Sequence, residues 1–206
     1  MRTLWTFGDS FTESFRDNKA RWVDEYIDWK GYIPKVYGEV ITNELELELV
    51  NLGKGGSDNY SIFQAVCDSV HRINSNDIII IGWSYTVRFR LAANKNSWKP
   101  ILPNSDTNLK DISHTTISEI LVNRDNELYK DEVRSWMKLL DYTFPNNVLI
   151  HWSWRDFIPN YFGDISTIFD ETNGLINDNH FGEEGHTQLA KRLIDMITNN
   201  QSRRLI

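Results

Sequence analysis

The chain is 206 residues long, 40% hydrophobic and 13% aromatic, which is enough for one domain with a buried core. Its 22 basic and 29 acidic residues leave a net charge of −7, and no segment gathers Lys and Arg into the stripe that neutralising phosphates requires, so nucleic acid is not an expected partner. The apolar runs are too short to cross a bilayer and the opening residues carry no secretory pattern, so a soluble, cytoplasmic protein with no membrane partner is expected.

Four β-rich runs occur in chain order, at residues 3–7, 45–51, 77–83 and 147–154. The third, "DIIIIGW", is apolar at successive positions, as a central parallel strand covered by helices on both faces requires. Helical spacing lies between the runs. It covers residues 22–42 with a break near Gly31 and Pro34, residues 61–73, residues 114–142, and residues 183–198, where Leu189, Leu193, Ile194 and Ile197 share a face. Strands alternating with helices predict an α/β fold with a sheet between helical layers. The lone cysteine, Cys67, falls at helical spacing with Ile62, Val66 and Val70 and reads as core packing, and no internal disulfide is available to it. A polar stretch at 94–113 separates the third run from the long helix. One domain over 1–206, with an insertion at about 90–113, is the expected organisation.

Chemistry is suggested at the carboxyl ends of these strands. "FGDS" places Ser10 where the first strand runs out, either as a cap for a following turn or as a nucleophile awaiting a histidine. "NDNHFGEEGH" supplies His180 just before the last helix, and ligands of α/β sheets collect at this edge. "NLGKGG" after the second strand and "IGWS" after the third add glycines there, where backbone amides can approach a developing oxyanion.

These blocks, in this order, resemble the SGNH hydrolases, the GDSL family of esterases and lipases. The resemblance implies a flavodoxin-like three-layer α/β/α sandwich with a mostly parallel central sheet, no cofactor, and hydrolysis of esters, with O-acetyl groups on glycans as the expected substrates. It makes Ser10 the nucleophile, with Asp9 supporting its turn, and His180 the base. The oxyanion hole would comprise the amides of Ser10 and Gly53 together with Ser84, which stands where the third block normally carries asparagine. The family's acid usually sits three residues before the histidine; that position is Asn177 here, and Asp178, one residue later, is taken as the acid that orients His180.

The blander readings are specific. His186, six residues beyond His180, reads as a structural hydrogen-bonding group, since this spacing across a helix start is no usual metal pair, and no metal is expected. Trp152 and Trp154 alternate on one strand face and read as core. Trp83, at the active edge, is read as either core or a substrate-binding indole, and is carried as the substrate-binding candidate. Arg88 reads as a solvated arginine outside the site. The same machinery also fits acyl transfer to a sugar, and a non-catalytic carbohydrate-binding or structural module on this fold is the alternative from a different class. The sequence does not indicate an oligomeric state.

Overall fold

The computed structural model describes residues 2–86, 88–94, 97–101, 126–158, 160–171 and 179–199. In chain order the elements are β1 (Thr3–Gly8), α1 (Arg21–Lys30), α2 (Tyr37–Leu45), β2 (Glu48–Gly53), α3 (Asn59–Ser69), β3 (Ile78–Trp83), β4 (Phe89–Asn94), β5 (Ser97–Ile101), α4 (Asn126–Thr143), β6 (Val148–Ser153), the short α5 (Ile168–Glu171) and α6 (Glu183–Thr198). β2, β1, β3 and β6 hydrogen-bond in that order as a four-stranded, fully parallel sheet. The chain steps from β1 outward to β2 and then back across to β3, so a topological switch point lies between β1 and β3. Open α/β sheets bind ligands at such a point, beyond the carboxyl ends of the strands.

Side-chain alternation along each strand feeds two cores. Leu4, Ile78, Ile80, Val148, Ile150 and Trp152 face Tyr37 and Ile41 of α2 and Leu189, Leu193 and Ile197 of α6. Trp5, Phe7, Ile79, Ile81, Trp83 and Leu149 face Ile62 and Val66 of α3 and Val133, Met137 and Leu140 of α4. The four consecutive isoleucines are all at most 1% exposed. Each contributes about 1.5–3 kcal/mol of burial, two to each core. The sandwich predicted from the sequence is therefore present: helices, parallel sheet, helices.

Several boundaries differ from expectation for local reasons. The second run starts later than its alternating "LELEL" pattern suggests, because α2 continues through Leu45 and Glu46 ends it in a left-handed conformation (φ 53°). β4 and β5 pair antiparallel in a second sheet outside the main one, in the stretch expected to be an insertion. Residues 102–125, including the first part of the expected long helix, lie outside the described residues. Cys67 is exposed, which corrects its core assignment. At 100° per residue it is turned away from Val66, and α3 points Asn59, Ile62, Val66 and Ser69 inward instead. Among the described residues no helix is long and apolar enough to cross a membrane.

Candidate active site

Ser10 follows β1 in a tight turn whose backbone is tied by Thr12 and Glu13 amides donating to the Asp9 carbonyl (2.9 and 3.0 Å). The Asp9 carboxylate, 5% exposed, accepts from the Phe11 amide through Oδ1 (3.0 Å). Its other oxygen accepts from the Ser84 hydroxyl (2.7 Å) and the Arg88 guanidinium (2.8 Å). The aspartate thus supports the Ser10 turn from within. Residues 170 positions apart then meet, because His180 Nε2 lies 2.8 Å from Ser10 Oγ. This is the separation expected of a serine and the base that takes its proton.

The imidazole of His180 is covered on both faces. Phe11 stacks on one side, with ring centroids 5.0 Å apart and an interplanar angle of 25°, and Trp22 of α1 on the other at 4.3 Å and 18°. α1 is itself pinned to the start of α6. The Tyr26 hydroxyl donates to the Glu171 carboxylate and accepts from the Glu183 amide (2.7 Å), while Lys30 Nζ lies 3.2 Å from Glu183 Oε2. Burial, reinforced by the bond to Glu171, raises the Tyr26 pKa and keeps it a donor. The backbone carbonyl of His180 accepts from the Ile168 amide (2.8 Å), and the preceding Asn179 takes a left-handed conformation (φ 57°). His186 sits in the first turn of α6, 2% exposed, with Nδ1 accepting from the Tyr37 amide (3.3 Å). Burial, with the nearby His180 as a second cause, pushes its pKa down to about 3. It is a neutral structural group, as its sequence position suggested.

The groups expected to form the oxyanion hole have other partners in the structure. The Gly53 amide donates to Asn51 Oδ1 (2.9 Å), and Asn51 Nδ2 in turn holds the Thr12 carbonyl (2.8 Å). Gly53 is glycine because a Cβ there would lie 2.6 Å from the Thr12–Glu13 backbone. Close approach, rather than a free amide, explains the residue. In the turn that follows, Lys54 N donates to the Gly8 carbonyl (3.0 Å), Gly55 N to Glu13 Oε2 (3.0 Å) and Ser57 N to the Lys54 carbonyl (3.1 Å). Burial raises the Glu13 carboxyl above its ordinary pKa against the pull of that Gly55 bond. Among the described residues the Gly56 amide alone in this turn has no partner. Gly56 has φ +77°, a left-handed conformation that glycine adopts without strain.

Ser84 is also committed elsewhere. Its hydroxyl proton goes to Asp9, and its amide and carbonyl are both clamped by the Asn59 carboxamide (2.7 and 3.0 Å). Trp83 is corrected outright as a substrate-binding residue. Its side chain is 2% exposed, packs in the core beside Ile79 and Ile81, and donates its indole N–H to His151 Nδ1 (3.1 Å). Trp152 is core, as expected, while Trp154 is half-buried against Phe11 and Phe181. Asp178 and Asn177 lie outside the described residues.

Three residues at the site escaped the sequence reading. Trp22 and Phe11 carry no motif that ties them to His180. Arg88 looked solvated because nothing in "SYTVRFR" announces that its partner is Asp9. Beside His180, Trp154, Ile165, Thr167, Phe169, Asn179 and Gln188 line an open groove of about 540 Å³.

No family model and no curated protein matches the sequence. Solved structures do. An acetyl xylan esterase from the rumen bacterium Butyrivibrio proteoclasticus superposes with a TM-score of 0.50 at 13% identity, covering 97% of this chain and 64% of that one, so this chain spans under two thirds of that protein's length. A variant of an acetyl-xylooligosaccharide esterase from Geobacillus is 15% identical, with 95% and 94% coverage and a TM-score of 0.49. The psychrotrophic esterase EstA from Pseudoalteromonas is 10% identical, with 98% and 100% coverage and a TM-score of 0.47. At such identities the likeness is one of fold. The chain has a three-layer α/β/α sandwich, a fold it shares with the acetyl xylan esterase.

Proposed function

We propose that this protein is a serine esterase of the SGNH type, acting on carboxylic esters. The observation that carries the reading is the 2.8 Å approach of His180 Nε2 to Ser10 Oγ at the switch point of the sheet. Ser10 Oγ attacks the ester carbonyl carbon as its proton passes to His180 Nε2. The tetrahedral oxyanion is held by the amide of Ser10. The second amide is reassigned from Gly53, whose N–H is spent on Asn51, to Gly56, the unengaged donor of the adjoining turn. His180 returns the proton to the departing alcohol as the carbonyl–alkoxy bond breaks. Water then attacks the acyl-serine, with His180 again taking and returning the proton. Asp178 is assigned to orient the far nitrogen of His180, on the sequence resemblance alone. O-acetylated glycans are the proposed substrates. Supporting this is the fold shared with an acetyl xylan esterase.

The test is turnover of p-nitrophenyl acetate together with labelling by a fluorophosphonate. Both are expected in the parent protein and lost in Ser10→Ala. Absence of both from the parent would instead favour a carbohydrate-binding module. Release of acetate from acetylated xylan, compared with acetylated hexose glycans, reads out the substrate class. Among the candidates for the acid, Asp178→Ala is expected to lower kcat by about four powers of ten, as loss of a triad acid can, with Asn177→Ala much milder. The reverse pattern would move the role to Asn177.

A further inference from the structure

Arg88 lies five residues beyond the end of β3, and its side chain is only 15% exposed. One nitrogen, Nη1, makes two contacts: 2.8 Å to Asp9 Oδ2 and 3.2 Å to the Ser57 carbonyl oxygen. Asp9 immediately precedes Ser10, and Ser57 immediately follows Gly56. A single guanidinium therefore joins the residue before the nucleophile to the residue after the proposed second oxyanion amide. No other side chain among the described residues bonds to both. Glu13 ties the same two turns one residue further out, through Gly55.

The chemistry makes that link consequential. An oxyanion hole works because its donors are already in place when charge develops, and it loses its effect when they must be reorganised. The two amides stand on different loops, one after β1 and one after β2. Lys54 N to the Gly8 carbonyl, Asn51 Nδ2 to the Thr12 carbonyl and Gly55 N to Glu13 Oε2 join these loops at other points, whereas Arg88 is the tie between the residues that directly flank the two amides. Ser84, at the end of β3, has its one hydroxyl proton on Asp9 and reaches no further. Arg88 reaches from the β3 side to both.

We infer that Arg88 is a positioning residue of the esterase reaction: its guanidinium fixes the Gly56 turn against the Ser10 turn and so sets the spacing of the two oxyanion amides. The inference rests on the esterase reading above. The planar guanidinium suits this task because it can serve two acceptors in fixed directions, whereas a lysine ammonium supplies charge without that geometry.

The experiment uses Arg88→Met and Arg88→Lys, each measured for kcat and KM on p-nitrophenyl acetate, for the rate of fluorophosphonate labelling, and for thermal unfolding. Misplacing a reacting geometry by an ångström costs up to about a hundredfold, so Arg88→Met is expected to lower kcat and the labelling rate by about ten- to a hundredfold while KM stays within about threefold. Arg88→Lys is expected to fall between Met and the parent. A merely structural ion pair would lower the melting temperature in both variants and leave kcat of the folded protein alone. If Arg88→Met does not fold, Asp9→Asn/Arg88→Met removes the buried charge left behind, and the same loss is then read against Asp9→Asn. A parent that turns over and labels, with Arg88→Met within twofold on both, overturns the role of Arg88 and leaves the esterase intact. A parent that does neither removes the esterase reading and this inference together.

Discussion

Ser84→Ala separates two accounts of the same residue. If the Ser84 hydroxyl were an oxyanion donor, its removal would lower kcat by about a hundred- to a thousandfold with little effect on stability. The structure directs that proton to Asp9 Oδ2 at 2.7 Å, in a carboxylate only 5% exposed. A hydrogen bond to a charged group contributes about 1.5–3 kcal/mol net, and a domain of this size loses about 2–4 °C in melting temperature per kcal/mol. Ser84→Ala is therefore expected to lower Tm by roughly 3–12 °C. Its kcat is expected to fall by less than about tenfold, because the Phe11 amide and Arg88 still hold Asp9. Calorimetry and p-nitrophenyl acetate kinetics on the same preparations measure both. A hundredfold loss of kcat at unchanged Tm would refute the assignment of the hydroxyl to Asp9 and return Ser84 to the oxyanion hole.

Trp22→Leu removes one face of the stack on His180; since such ring pairs contribute about 0.5–1.5 kcal/mol, kcat is expected to fall by about two- to twelvefold, with Trp22→Phe restoring most of it. His186 makes stability pH-dependent in a defined direction. Its pKa is 6.5 in the unfolded reference and about 3 in the fold, so above pH 6.5 neither state takes up a proton and the stability is fully present. As pH falls from 6.5 towards 3, only the unfolded chain is protonated there, which costs about 1.4 kcal/mol per pH unit. Denaturant unfolding across this range should show that slope, and His186→Phe should flatten it; an unchanged slope would assign the acid lability to other groups. Gly53→Ala sets a Cβ 2.6 Å from the Thr12–Glu13 backbone, and a loss of about 1–3 kcal/mol is expected by the same denaturant titration. An Ala variant as stable as the parent would show that the two turns are not in close contact.

The sequence alone determined the layers and brought forward Ser10 and His180, which the structure places 2.8 Å apart. Ile78–Ile81 can be apolar at every position only if both faces of the strand are covered, which is why a sandwich was legible before any contact was known. The last helix is legible at residues 183–198 because Leu189, Leu193, Ile194 and Ile197 share a face, and α6 has those bounds. Trp83 shares strand parity with Ile79 and Ile81, so its burial was latent in the same alternation. The pairing of β4 with β5 was not legible. Phe89 and Leu91 flank Arg90 in β4 as a strand would have them, but β5 carries Lys99 and Pro100, and a proline inside a strand is tolerated only at an edge or a bulge.

Only the tertiary structure decided how the donors are allotted. Gly53, Gly55 and Gly56 lie within four positions and offer equivalent amides to a reader of the sequence. Which of them is spent depends on Asn51 and Glu13, side chains brought there by β2 pairing with β1 and by the turn after Gly8. In the same way Asp9, Ser84 and Arg88 are up to 79 residues apart, and each reads locally as a turn residue, a strand end and a solvated charge. A hydrogen bond is satisfied by distance and angle rather than by sequence spacing. The parallel sheet that aligns three strand ends therefore determines which polar groups support the Ser10 turn.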